Sequence, residues 1–206
     1  MKLLLISDEE SPALWDHYRP EHLAGVDMIL SAGDLRAEYL SFLVTMANRP
    51  LLYIPGNHDG AYMKAPPEGC ECVDDRLVTV NGLRILGLGG CLKYNNGPYQ
   101  YTEWQMRRRV LRLWPRLTYA GGVDIVLTHA PVRGHGDMEN VTHRGFEAFL
   151  PLLDTFRPKY LIHGHVHLRY QPCQGRIQHY GGTTIINASE KYFLEIDPEH
   201  MREERK

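Results

Sequence analysis

No stretch of this sequence approaches the roughly 18–20 consecutive apolar residues of a membrane-spanning helix. The opening, MKLLLIS, reaches Asp8 too soon for the core of a secretory signal. Cysteine is scarce: Cys70, Cys72, Cys91 and Cys173 form no CxxC pair and no ladder of spacings. That sets aside a disulfide scaffold and a thiolate zinc site, and the four read as reduced thiols of a cytoplasmic protein. An excess of one charge is also missing. With a formal net charge of -2 at pH 7, no global field draws the chain to nucleic acid or to a membrane, so an anionic ligand has to be held locally. There is no internal repeat and no low-complexity linker. The 206 residues suffice for one large core and are few for two.

Short apolar runs alternate with helical patterns. Residues 2–7, 26–32, 51–55, 124–128 and 159–163 read as buried strands, each running into a polar loop with histidine or glycine. Asn81-Gly82, between RLVTV and LRILGLGG, signals a tight hairpin. HYGGTTIINAS and KYFLEI suggest a second antiparallel pair. Helical spacing is present near 36–48 (Leu40, Leu43, Val44, Ala47) and at Phe146, Phe149, Leu150 and Leu153, where Pro151 marks a kink or a new start. A third helix over 102–114 has Thr102 as its cap and Trp104, Leu111 and Trp114 as its expected buried side. Its run Arg107–Arg109 reads as a solvated face. These elements predict one α/β domain over residues 1–197 and a charged tail over 198–206.

The chemistry sits at the strand ends, where α/β sheets gather ligands. They carry Asp8-Glu9-Glu10, Gly33-Asp34, Gly56-Asn57-His58-Asp59, Thr128-His129 and Gly164-His165-Val166-His167. Carboxylates, one amide oxygen and several imidazoles suit mid-row divalent ions, and Asp34 stands where one carboxylate can bridge two of them. Arg36, two residues on, is within reach of a phosphate. His135, and the Tyr- and Asn-rich loop Lys93 to Tyr101, are candidates to border the pocket.

In this order the motifs resemble those of the calcineurin-like metallophosphoesterases, over about residues 1–195. The resemblance implies a four-layer α/β/β/α sandwich of two mixed β-sheets flanked by helices. It implies two metal ions: Asp8 and His167 on the first, Asn57, His129 and His165 on the second, and Asp34 bridging. Manganese or iron are the expected ions, with zinc, cobalt and nickel as alternatives. His58 faces the substrate and assists the leaving group, with Asn57 and Arg36 as further substrate contacts. The implied activity is hydrolysis of a phosphomonoester or phosphodiester, a small-molecule phosphate ester, by a hydroxide held between the ions. The chain lacks the wider basic surface a nuclease would need. A non-catalytic interaction module of the same fold is the other alternative.

One position departs from the family pattern. Glu10 stands where the first motif has a histidine. The expectation is that Glu10 is itself a ligand of the first metal; the alternatives are that it turns away and a water fills the position, leaving that site weak, or that the site is inactive and the domain binds a partner. As a ligand it would lower the charge of the site by about one unit, favour iron or manganese over zinc, and raise the pKa of the bridging water.

Overall fold

The fold, seen in a computed structural model, is described for residues 1–170 and 175–197, the side chain of Tyr170 excepted. The expected tail from Pro198, and Cys173, lie outside the described residues. In chain order the first half contains β1 (Lys2–Ser7), β2 (Met28–Ser31), α1 (Ala37–Ala47), β3 (Leu51–Tyr53), β4 (Glu71–Cys72), β5 (Arg76–Val80) and β6 (Leu83–Leu88). Next come β7 (Cys91–Leu92), β8 (Gln100–Tyr101), α2 (Glu103–Tyr119), β9 (Ile125–Thr128), α3 (Phe149–Phe156) and β10 (Tyr160–His163). The chain continues with β11 (Ile177–Tyr180), β12 (Thr183–Asn187) and β13 (Glu190–Glu195). One sheet has the order β13-β1-β2-β3-β4 and the other β11-β12-β10-β9-β6-β5. In both, the central strands are parallel and an antiparallel strand closes an edge.

The continuous apolar runs follow from burial on both faces of each sheet. Successive side chains of a strand point to opposite sides. Leu3 and Leu5 of β1 meet Ile125 and Leu127 of β9 between the sheets. Leu4 and Ile6 pack outward against Tyr39, Leu40 and Leu43 of α1. On the far side, Val126 and Leu161 lie under Met106, Val110 and Leu113 of α2 and Phe149 and Leu152 of α3. The result is an α/β/β/α sandwich. Truncating Leu5 to alanine in that middle layer would cost about 2–5 kcal/mol.

The Asn81-Gly82 hairpin forms as the dipeptide predicts, with positive φ at both residues (51° and 80°). Three expectations need correction. β12 and β13 do not pair: β12 makes its hairpin with β11, while β13 crosses to the other sheet and runs antiparallel to β1. α2 buries Met106, Val110, Leu113 and Leu117, whereas Trp104 and Leu111 are exposed. The core takes the aliphatic stripe, with Trp114 half-buried at its edge against Phe156 as the part of the expected side that does pack inward. And Arg109 is not solvated. Its Nη2 donates to Asp74 at 2.6 Å, its Nε to Asp75 at 2.8 Å and its Nη1 to the Gly89 carbonyl at 2.8 Å, tying α2 to the loops around β5 and β6. Thr102 does cap α2, in a reciprocal box with Gln105. Pro151 falls in the first turn of α3, where a missing N–H leaves no hydrogen bond unmade.

Candidate functional site

Five strand ends meet at one edge of the sandwich: those of β1, β2 and β3 from one sheet and of β9 and β10 from the other. The turn after each strand is abrupt. Asp8, Asp34 and His165 take left-handed backbone angles, with φ of 62°, 58° and 68°, conformations that non-glycine residues hold only where the surroundings enforce them. The motif glycines permit the close approach. A Cβ on Gly164 would stand 2.6 Å from the Ser7 hydroxyl and 2.7 Å from Asp8 Oδ2. On Gly56 it would collide with the Asp34 carboxylate.

Asp34, His129 and His165 each bring one ligand atom to within 4.8 Å of the others. The ring of His129 is fully buried, and its Nδ1 lies 2.7 Å from the Ala32 carbonyl, an acceptor only, so Nδ1 carries the proton. Nε2 then faces Asp34 Oδ2 at 3.3 Å and the Asn57 side-chain oxygen at 3.1 Å. In a neutral ring that places a lone pair against two oxygens, an arrangement that calls for a cation among them. His165 repeats the device: its Nε2 donates to the Thr142 carbonyl at 2.6 Å, which leaves Nδ1 unprotonated. The backbone N–H of His165 reaches both oxygens of Asp8, at 2.9 and 3.0 Å. The donor set therefore fits a hard or borderline metal ion.

Electrostatics agree with that geometry. Burial alone would lower the His129 pKa, but Asp34 and, farther off, Asp8 hold it up at about 9. Burial would raise Asp34, yet His129 and the N–H of His58 bring it down to about 2. Without metal, a proton on His129 takes the place of the cation. Burial and the charge of His129 push His165 down to about 3, so that ring stays neutral. Burial, with Asp34 close by, lifts Asp59 to about 7. Asp59 accepts from the N–H groups of Asp34 and Gly56, each at 2.7 Å, and so locks the second and third motif loops together.

The remaining residues divide. Asp8, Asn57, His58 and His167 line the same hollow as Asp34 and His165, a space of about 160 Å³. The His58 ring is largely exposed, with Nε2 3.9 Å from Asp34 Oδ2. Glu10 departs from expectation: it does not line the hollow and instead grips Arg36, whose Nε donates to Oε1 at 2.7 Å and Nη2 to Oε2 at 2.5 Å. A fork that matches a carboxylate with two parallel bonds outcompetes a longer reach into the centre. Arg36 is accordingly committed to Glu10 as well. His135 stacks edge-on against Tyr180 instead of lining the hollow.

Sequence reading passed over three contributors, Glu9, Thr142 and His143, and anticipated a fourth in the Lys93 to Tyr101 loop. Glu9 Oε1 lies 2.5 Å from His167 Nδ1, orienting the ring as an outer carboxylate does for a metal-binding histidine. Its place beside Asp8 was the available signal. Asn57 Nδ2 donates to the Tyr94 hydroxyl at 3.1 Å, so the Lys93 to Tyr101 loop does wall the site. Thr142 acts through a backbone carbonyl, for which no sequence signal exists. His143 lies beside His165, with ring centroids 5.4 Å apart.

Fold and cluster together define a two-sheet sandwich with metal-ligand chemistry at its strand ends. Residues 6–169 match the family described as Calcineurin-like phosphoesterase, and the chain belongs to that family. Over 100 residues it is 32% identical to a UPF0046 protein of Caenorhabditis elegans, covering 48% of this chain and 24% of that protein. Over 130 residues it is 26% identical to a lariat debranching enzyme of Entamoeba histolytica, covering 52% of this chain and 35% of that enzyme. The matches thus span well under half the length of these relatives. Among solved structures, a protein of Thermus thermophilus superposes with a TM-score of 0.63 at 18% identity, over 92% of this chain and 89% of that one. A putative 5'-nucleotidase from Staphylococcus aureus gives 0.54 at 12% identity, over 95% and 51%. These two likenesses concern the fold. No helix among the described residues is long and apolar enough to cross a membrane.

Proposed function

We propose that residues 1–197 form one catalytic domain, a dinuclear metal-dependent phosphoesterase acting on a small phosphomonoester or phosphodiester. The observation that carries this reading is the His129 ring, with Nδ1 committed to Ala32 and Nε2 facing two oxygens, a contact suited to a metal ion and held, in its absence, by a proton on the ring. Asn57, His129 and His165 would hold one ion, Asp8 and His167 the other, and Asp34 would serve both. Manganese or iron suits this oxygen- and nitrogen-rich set, with zinc, cobalt or nickel as alternatives. Bound there, the ions supply Lewis-acid polarisation of the phosphoryl group and a water acidic enough to attack at neutral pH.

The protein's own groups do the rest. Glu9 holds His167 in one tautomer, and the Ala32 and Thr142 carbonyls do the same for His129 and His165. Asp59 keeps the Asp34 and Gly56 turns in register. His58 is left for chemistry. Its N–H is anchored on Asp34 Oδ1 at 2.8 Å and its ring is open to an incoming ester. From that place it donates a proton to the departing oxygen, a role worth roughly 100- to 10,000-fold in rate. Cys70, Cys72 and Cys91 are free thiols, which supports a cytoplasmic setting.

The test is hydrolysis of bis-p-nitrophenyl phosphate and p-nitrophenyl phosphate by manganese-loaded protein, with metal content measured alongside. His58→Ala should lower turnover at least tenfold and leave metal content unchanged; loss of an ion would reassign His58 as a ligand. A second reading, a non-catalytic interaction module, is favoured by one observation: the Glu10–Arg36 pair leaves the first ion a ligand short. Less than one ion per chain after loading, with no hydrolysis, would select it.

A further inference from the structure

A second hollow of about 260 Å³ adjoins the ligand cluster, between the turn Leu35–Glu38 and the segment Asp59–Ala65. Asp34 and His58 line both spaces. If His58 protonates the departing oxygen of an ester whose phosphorus lies among the ligand-bearing residues, the organic group beyond that oxygen is brought to the mouth of this second space. The space exists because the side chains around its mouth are small: Ala37, Ala61 and Ala65, with Leu35 and Tyr62 buried behind them. The Tyr62 hydroxyl is already committed to the Leu35 carbonyl.

Charge decides what the space will accept. Arg36 forms part of its wall, but both oxygens of Glu10 hold that guanidinium, at 2.7 and 2.5 Å. Glu38 adds a carboxylate to the same wall. Apart from His58 at its border with the ligand cluster, the hollow therefore offers no cation that is not already paired, and its alanine mouth suits apolar surface. The departure at Glu10 acts here: a histidine in its place would leave Arg36 without its paired carboxylate and more available to an anion.

We infer that this hollow beside His58 seats the leaving group of the substrate and selects an uncharged, ring-sized group over one carrying a second anion. The inference rests on the phosphoesterase reading, which places the phosphoryl group. Calorimetry on the manganese-loaded full chain with methylphosphonate, phenylphosphonate and 4-carboxyphenylphosphonate tests it. Phenylphosphonate should bind at least tenfold more tightly than methylphosphonate, and 4-carboxyphenylphosphonate more weakly than phenylphosphonate. Ala61→Trp should erase the preference for the ring. Lys64→Trp, an exposed neighbour on the same segment that does not line the hollow, should keep it. Glu10→Gln should free Arg36 and reverse the order of the two aryl ligands.

Equal binding of the methyl and phenyl compounds by the unmodified protein overturns the inference, as does a ring preference that survives both Ala61→Trp and Ala65→Trp. A ring preference lost in Ala61→Trp, without hydrolysis of any ester, supports the hollow and overturns the catalytic reading. Failure of all three compounds to bind, with no hydrolysis, overturns both.

Discussion

The two halves of the site are built on different principles. On the inner side, His129, His165 and Asn57 are buried, and one nitrogen of each side chain is tied to Ala32, Thr142 and Tyr94 respectively. On the outer side the side chains are partly exposed and answer to one another: Glu9 to His167 and Arg169, Glu10 to Arg36. A backbone carbonyl cannot swing to another partner as a free side chain does, so those of Ala32 and Thr142 set a histidine tautomer. Exposed carboxylates choose among cations and are screened by solvent. The inner half is pre-set for a cation; the outer half is adjustable.

The hardest blow to this contrast is to remove the residue both halves share. Asp34→Asn should abolish phosphoesterase activity and lose both ions, measured by metal analysis after gel filtration. Two tightly retained ions would remove Asp34 as the bridge. Next in size, His129→Ala empties the centre of the inner half and leaves a buried carboxylate without its partner, at a cost of about 3 kcal/mol in denaturant unfolding of the metal-free protein. A loss no larger than that of a surface substitution would mean the inner half is not pre-set.

Protons probe the same contrast more finely. In the metal-free protein His129 sits above its ordinary 6.5, at about 9. Its pairing therefore stabilises the fold fully below pH 6.5 and is lost as pH rises through about 9. Thermal unfolding should shift downward across that window, and Asp34→Asn should flatten the shift. Metal has to displace that proton, so apparent affinity should climb up to tenfold per pH unit across the window, with proton release seen in buffers of different ionisation enthalpy. An affinity independent of pH would place the cation elsewhere.

The outer half should respond more weakly. Glu9→Ala frees the His167 ring and should reduce affinity for one ion by about 10- to 100-fold while leaving the other unaffected; equal loss of both would deny the division. The smallest effect is expected at Glu10. Glu10→Ala should keep both ions and barely move thermal unfolding, because its partner is an exposed arginine. Loss of one ion in that variant would restore Glu10 to the ligand set.

Much of this molecule was legible in its residues. The five strand runs are apolar on both faces because both faces are covered, and each motif follows its strand because the ligand edge is where the strands end. Asn81-Gly82 forms its turn from local backbone preference alone. Where sequence reading failed, the deciding contacts lay far away in the chain. Helix α2 carries two competing stripes, and only the sheet beneath it selects the aliphatic one. Arg109 looks solvated until β5 brings Asp74 and Asp75 beside it. The path of β13 depends on which edge is open, which no local pattern encodes.

Residue chemistry and short-range spacing were enough to point to the family and to the strand-end residues that carry its motifs, in the order in which they occur. How those side chains are paired and oriented was left to the folded chain. Glu10 and Glu9 are adjacent and chemically alike, yet one faces Arg36 and the other His167, at sequence separations of 26 and 158. A carboxylate takes the strongest cation that the fold sets within its reach, and that choice is made only after the chain has closed.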